Sequence, residues 1–395
     1  MRQSHIAFLE SEGSHYTLDR FTVVPVLQTG SAVRASEREK IVIPESSSLS
    51  VFPYGPSSGG MVESVYFDIL TQGEKIQKVG YDAGFKNRSI KLSGLTKNEA
   101  LLRIERMNGV HCAAYSSMFC DICESGINME IPDQVKYLRV AMMEAERISS
   151  HLFVASRLTG GASQNIAHMN ILLLREELLR TISAAFGHRY FFGVNRIGGV
   201  NRPVDLNGFA KKIRHITDEY NEIFRTLMDS RVFIDRLDRS AIIRGENSSG
   251  PALRGSGMKK DGRNFHKYYE ELEFRTITSD GGDALARFLV RSGEIQESAG
   301  IIEQAISRAA DPYANSQVNE GNNSFMAGGF METPSGDASM IVKMGNGRVE
   351  SIGFRSPSIL NMEAFLEAIS GNTFADFLFG YESLGIWICE MGDFQ

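Results

Sequence analysis

Residues 133–159 read DQVKYLRVAMMEAERISSHLFVASRLT. Val135, Leu138, Met142, Ala145, Ile148, Leu152 and Ala155 recur at steps of three and four, the spacing that lines side chains along one helix face. The stretch therefore predicts one long amphipathic helix. The same period returns from about 165 to 186, in KKIRHITDEYNEIFRTLMDS at 211–230, and in DALARFLVRSGEIQESAGIIEQAISRA at 283–309. The 211–230 stretch is strongly polar on one face. Four such helices in one chain predict a bundle core.

Outward from these helices the pattern becomes β-like. In FPYGPSSGGMVESVYFDILTQGEKI at 52–76, Gly-Pro and Gly-Gly mark turns. Its second half predicts a hairpin around Gln72-Gly73. The segment 338–353, ASMIVKMGNGRVESIG, predicts another, with Gly-Asn-Gly as its turn. Thr96, followed by Glu99, predicts a capped helix start. A Gly/Ser-rich loop, RGENSSGPALRGSGMKKDGRN at 244–264, separates the third and fourth long helices. Residues 1–50 carry short β-like runs, FTVVPVL and KIVI, and a Ser cluster at 46–50. The fold class expected is α+β, mainly α: a core of long helices with small β-hairpins at its ends. The division expected is a β-rich extension over 1–50 and one domain over 51–395.

The 395 residues are 42% hydrophobic and 23% charged, the balance of a soluble globular chain. A net charge of −6 and the lack of a basic face give no reason to expect nucleic acid. Four cysteines in this length argue against a disulfide framework and fit a reducing compartment. MRQSHIAFLESEG has no apolar signal core, and no run of 18 apolar residues occurs, so no span of a membrane is expected. The 16 Met and 24 Phe read mostly as core. Short S-G-x-G-like pieces neither follow a strand nor precede a helix, which leaves a nucleotide-binding reading weak.

The stretch ERMNGVHCAAYSSMFCDICE at 105–124 begins like a metal site and does not finish as one. Cys120 and Cys123 form a C-x-x-C, and the other cysteines are Cys112 and Cys389.

Several stretches, in order, carry a resemblance over roughly residues 52–393. They are the Gly-Pro hairpin, EAERISSHL, NRIGGVNRPVDL, SGPALRGSGMKKDGR, GGDALARFLVRSGEIQES and YESLGIWICEMGD. The chain resembles the D subunit of respiratory complex I (NADH-quinone oxidoreductase) and the large subunits of membrane-bound, energy-converting nickel–iron hydrogenases. The resemblance implies a hydrogenase-large-subunit-like fold. It also places the four thiolate positions of the hydrogenase metal site on Asn108, His111, Trp387 and Glu390. None is cysteine, so a nickel–iron site is not expected; soft thiolates are what those metals require. Cys120 and Cys123 fall about three helical turns further on and read as packing residues. The quinone-holding His of complex I falls on Val62, its Tyr on Gly109, and the acid paired with that His on Gly161.

His111 and Glu63 are the candidate catalytic residues. An imidazole near neutral pH can donate to an acceptor oxygen or pass a proton, and Glu63 stands where hydrogenase relatives carry a proton-relaying glutamate. A core histidine and an exposed strand glutamate are the plain alternatives. Val62, Arg106, Asn108, Gly109, Tyr115, Trp387 and Glu390 complete the candidate pocket for a quinone or other small acceptor. Trp387, the single tryptophan, either plugs that pocket or packs in the core. Glu146, Arg147 and His151, and likewise Arg254, Asp261 and Arg263, read as structural polar networks.

The resemblance implies a redox subunit on the cytoplasmic side of a membrane. Its expected partners are a small iron–sulfur subunit, other hydrophilic-arm subunits and membrane-embedded ion-translocating subunits. The iron–sulfur cluster is expected in the partner, and no cofactor is expected to be held firmly by this chain. The alternatives are a non-catalytic scaffold with a plugged site, and a metalloenzyme using His111, Cys112, Cys389 and Glu390.

Overall fold

The structure, a computed structural model, describes residues 48–202, 204–309 and 324–392, with the backbone of two strands at 15–19 and 22–26. Strands β1 (His15–Asp19) and β2 (Thr22–Val26) pair antiparallel. The KIVI run lies outside the described residues. Strands β3 (Ser50–Tyr54), β4 (Tyr66–Gln72) and β5 (Lys75–Asp82) form an antiparallel sheet in the order β3-β4-β5. The expected hairpin at Gln72-Gly73 is its β4–β5 connection. Helices α1 (Lys97–Ile104), α2 (Cys112–Gly126), α3 (Asp133–Gly161) and α4 (Asn165–Phe186) follow. Thr96 caps α1 in a complete capping box with Glu99, as its spacing predicts.

Two-residue strands β6 (Asn195–Arg196) and β7 (Gly199–Val200) lead into α5 (Phe209–Met228), α6 (Arg231–Leu237), α7 (Pro251–Gly255) and α8 (Ala284–Arg308). Strands β8 (Phe325–Thr333), β9 (Gly336–Gly345) and β10 (Arg348–Arg355) make a second antiparallel sheet. Asn346 and Gly347, both at positive φ, turn β9 into β10. Strand β8 was not expected: FMAGGFMET has no period-two alternation, and β9 recruits it along its other edge. Helices α9 (Pro357–Ala368) and α10 (Phe377–Leu384) close the chain, with a short 3-10 turn at Ile388–Glu390.

Helices α3, α4, α5 and α8 pack in a closed cycle, each on the next, which is the expected bundle. The α+β, mainly α class holds. One expectation changes. Helix α3 is not amphipathic in the sense of an apolar face against a wet one. Glu144, Glu146, Arg147 and His151 are buried with the rest of it. The physical reason is position: α3 meets α2, α4, α8 and α10, so its polar side faces partners instead of water.

Two apolar cores result. The larger fills the bundle and the space between α2 and the β8–β10 sheet. The smaller packs β4 and β5 against α9 and α10, with Phe67, Phe365 and Phe377 in edge-to-face contact. Tyr115 belongs to the first core and Ile388 to the second, so the segments around Glu390 lie at their seam.

Candidate functional site

At that seam, the 3-10 turn carries Glu390 inward and the first turn of α2 presents His111 and Tyr115 to it. Glu390 Oε2 accepts from Tyr115 OH at 2.7 Å, Asn108 Nδ2 at 2.8 Å and His111 Nδ1 at 2.9 Å. Its Oε1 accepts from Ser358 Oγ at 2.5 Å and Ser356 Oγ at 3.2 Å. All six residues are buried. Ser356 sits before Pro357 as the cap of α9 and also accepts from the Ser358 backbone N–H, which orients this pair. Burial by itself pushes the Glu390 carboxyl up. His111 beside it, with the hydrogen bonds from His111, Ser358 and Asn108, more than offsets this and holds it below the usual carboxylate range. Burial, then Glu390, pushes the Tyr115 phenol well up, so it remains a donor.

His111 Nε2 lies 3.3 Å from Ser335 Oγ, whose own proton goes to Gly385 O at 2.7 Å. The imidazole therefore has an acceptor at each ring nitrogen. Ser335 stands in the β8–β9 turn. Asn361 Nδ2 donates to its carbonyl, and Arg147 donates to the carbonyls of Glu332 and Thr333 just before it.

Below His111, Glu146 accepts from the backbone N–H groups of Ala113 at 2.6 Å and Ala114 at 3.1 Å, at the N-terminus of α2. Burial pushes its carboxyl up to about 8, against the lowering effect of those two amides. A second buried network locks α3 to α8 and the 244–264 loop. Arg254 bridges Glu294 and Glu332, Arg263 bridges Asp261 and Glu144, and His151 Nε2 lies 2.8 Å from Glu294. Burial, ahead of the opposing Glu294, drives the His151 imidazole down to about 3. These are the structural networks read from EAERISSHL and the Gly-rich loop.

The predicted site residues divide. His111, Asn108, Tyr115 and Glu390 meet directly. Trp387 covers them, with its ring edge-on to His111 at 6.2 Å and stacked on Phe153 at 5.8 Å. Val62 and Glu63 form the outer wall with Trp387, around a remaining cavity of about 10 Å³. That is about one water. Glu63 Oε2 accepts from the Cys389 backbone N–H at 3.0 Å, tying the Gly-Pro loop to the 3-10 turn. Gly109 lies beside Phe192, in a turn with room for a Cβ. Arg106 does not join the cluster. Its side chain is 54% exposed, pairs with Glu105 and lies over Phe192. Gly161 packs against Phe379.

Ser335, Ser356 and Ser358 were not anticipated. Only Ser356-Pro357-Ser358 carried a local signal, that of a helix start. All four cysteines are buried, and burial is the first cause raising each thiol. Cys120 and Cys123 lie on α2, buried in the first core. Among the described residues, no three His, Cys, Asp or Glu side chains converge as metal ligands do.

The profile of the family described as respiratory-chain NADH dehydrogenase, 49 Kd subunit, matches residues 165–327. The NADH-quinone oxidoreductase D subunit 2 of Sorangium cellulosum (strain So ce56) is 32% identical, over 66% of this chain and 71% of that protein. The membrane-bound hydrogenase alpha subunit of Pyrococcus furiosus is 26% identical, over 84% of each chain. A chain of the membrane-bound sulfane sulfur reductase, an archaeal respiratory membrane complex, superposes with a TM-score of 0.80 at 20% identity. That match covers 88% of this chain and all of the other, and it speaks for the fold. The chain belongs to the family of the 49 Kd subunit of respiratory-chain NADH dehydrogenase, whose members include the D subunit of NADH-quinone oxidoreductase. Its relatives include a carbon monoxide-induced hydrogenase of Rhodospirillum rubrum and the alpha subunit of a membrane-bound hydrogenase. No described helix is long and apolar enough to cross a membrane.

Proposed function

We propose that this chain is the large peripheral-arm subunit of a membrane-associated, complex I-like or hydrogenase-related oxidoreductase. In this reading it sits on the cytoplasmic side, against a small iron–sulfur subunit that supplies electrons. Membrane-embedded partners move the coupled ion. The family and its relatives support the setting.

For the vacated site the geometry favours a closed, proton-holding cluster. The observation that carries this is Glu390. Its carboxylate accepts from five side chains, so the groups that could serve a substrate are spent on it. Electron charge arriving in a neighbouring subunit would favour holding a proton on this buried cluster. A nickel–iron group does not fit these residues. Asn108, His111, Trp387 and Glu390 supply no thiolate, and His111 and Glu390 lie 2.9 Å apart, bonded to each other.

A second reading has its own observation. The Trp387 ring stands between the Val62–Glu63 wall and His111. If it turns out, a quinone or other small acceptor meets His111 and Tyr115, which would donate to its oxygens. The test is electron transfer in the purified complex, with Trp387→Ala and His111→Ala. A closed cluster predicts rates within about twofold of the parent for Trp387→Ala. An acceptor site predicts a changed KM for the acceptor in Trp387→Ala and a loss of about 100-fold or more in His111→Ala.

A further inference from the structure

A second cavity, about 510 Å³, lies on the other side of the β8–β9 turn from His111, between α9, the β9 strand and the 244–249 loop. Its floor is apolar: Leu253, Phe330 and Leu360 line it. Its rim is acidic. Glu246, Glu363 and Glu367 are all exposed on it, and none enters an ion pair with a Lys or Arg within 4 Å among the described residues. Lys260 and Arg355 are the cations of the wall, two against the three rim carboxylates. Burial, with Glu367 as a like-charged neighbour and Arg355 opposing, raises the Glu363 carboxyl.

An acidic rim alone needs no ligand. Ser248 does. It is only 4% exposed and lines the cavity, yet its Oγ has no hydrogen-bond partner among the described residues. A buried hydroxyl left unmatched costs free energy that a donor entering the cavity would recover. An apolar floor, an acidic rim and a waiting oxygen together match a long aliphatic stem with a cationic head.

We propose that this cavity is a docking socket for a basic side chain, lysine or arginine, carried by a partner subunit. The proposal rests on the chain working within a multi-subunit complex. The socket is also mechanically joined to the site. Ser249 Oγ accepts from Asp337 N–H at 2.8 Å, Asn361 accepts from Ser249 N–H at 2.9 Å, and the same Asn361 donates to Ser335 O at 3.0 Å. Ser335 in turn touches His111. The partner would thus seat on the wall that holds the His111 side of the cluster.

The experiment is carboxyl footprinting of the intact complex, with Glu222, 72% exposed, as internal reference. A salt titration follows partner retention in the parent and in the E246Q/E363Q/E367Q variant. The socket predicts labelling of the three rim carboxylates at least about fivefold slower than Glu222, and partner release from the variant about tenfold more readily at a given salt. Three results overturn it. The rim labels as fast as Glu222 while the complex is intact. The rim is protected but the variant keeps its partners unchanged, so no cation is held there. Protection survives removal of every partner and is lost on desalting, so a small free cation is the occupant. Absence of any co-purifying partner would instead overturn the proposed complex, and is seen before labelling begins.

Discussion

Glu390 and Glu146 are both buried carboxylates within one cluster, and their environments push them in opposite directions. Glu390 has His111 and a full set of donors, so its charge is kept; Glu146 has two backbone amides and too little positive charge. A carboxyl raised from 4.5 to about 8 binds its proton more firmly folded than unfolded. Its contribution is complete below the unfolded value and is lost as pH rises toward 8. Wild-type protein should therefore lose roughly 2–5 °C more in Tm between about pH 5.5 and 8.5 than Glu146→Gln does. Equal slopes would show that Glu146 is charged throughout. At this scale the sequence was informative where a position could be compared with the family pattern, as for Asn108, His111 and Glu390. It was silent on Ser335, Ser356 and Ser358. Serines are common, and what makes these three matter is a partner found only in space. Arg106, a candidate pocket residue, makes the other arrangement open to it, an exposed ion pair at a helix end with Glu105.

The elements that hold the site are short, and their precision comes from close approach. Gly336 opens β9 at φ +134, and a Cβ there would stand 2.3 Å from Ser249 Oγ and 2.7 Å from Gly250 N. Gly250, at φ +61, meets Gly336 from the other side. Neither loop can take a side chain without parting from the other. Gly336→Ala should cost about 2–3 kcal/mol. Gly347→Ala at the β9–β10 turn has open space around it and should cost about 1 kcal/mol, for its positive φ alone. Urea midpoints of the two variants check the difference. Gly-Asn-Gly announced the β9–β10 turn because the signal is local. Strand β8 announced nothing, since its Gly-Gly and Met-rich sequence is held by pairing with β9.

Over the whole molecule, buried charge is the unusual feature. Arg139, Arg147, Arg254, Arg263, Arg287 and Arg291 are among the largest fully buried side chains. Arg254 illustrates the consequence. Its removal as Arg254→Met takes the nearest guanidinium from Glu294, which keeps Arg147 at 3.7 Å, and the one paired with Glu332, and should cost about 3–5 kcal/mol. Arg225→Ala, which breaks an exposed pair with Glu222, should cost under about 0.5 kcal/mol. Chemical denaturation of both variants decides whether the network is structural to that degree. The sequence by itself determined the four long helices and both hairpins, because period and turn chemistry are local properties. Only the tertiary structure decided that the polar face of α3 lies inside and that His111 and Tyr115 are committed to Glu390. It also decided that Trp387 closes over them. Each of these joins segments far apart in the chain, and their approach is set by the packing of two cores against each other, which no local pattern records.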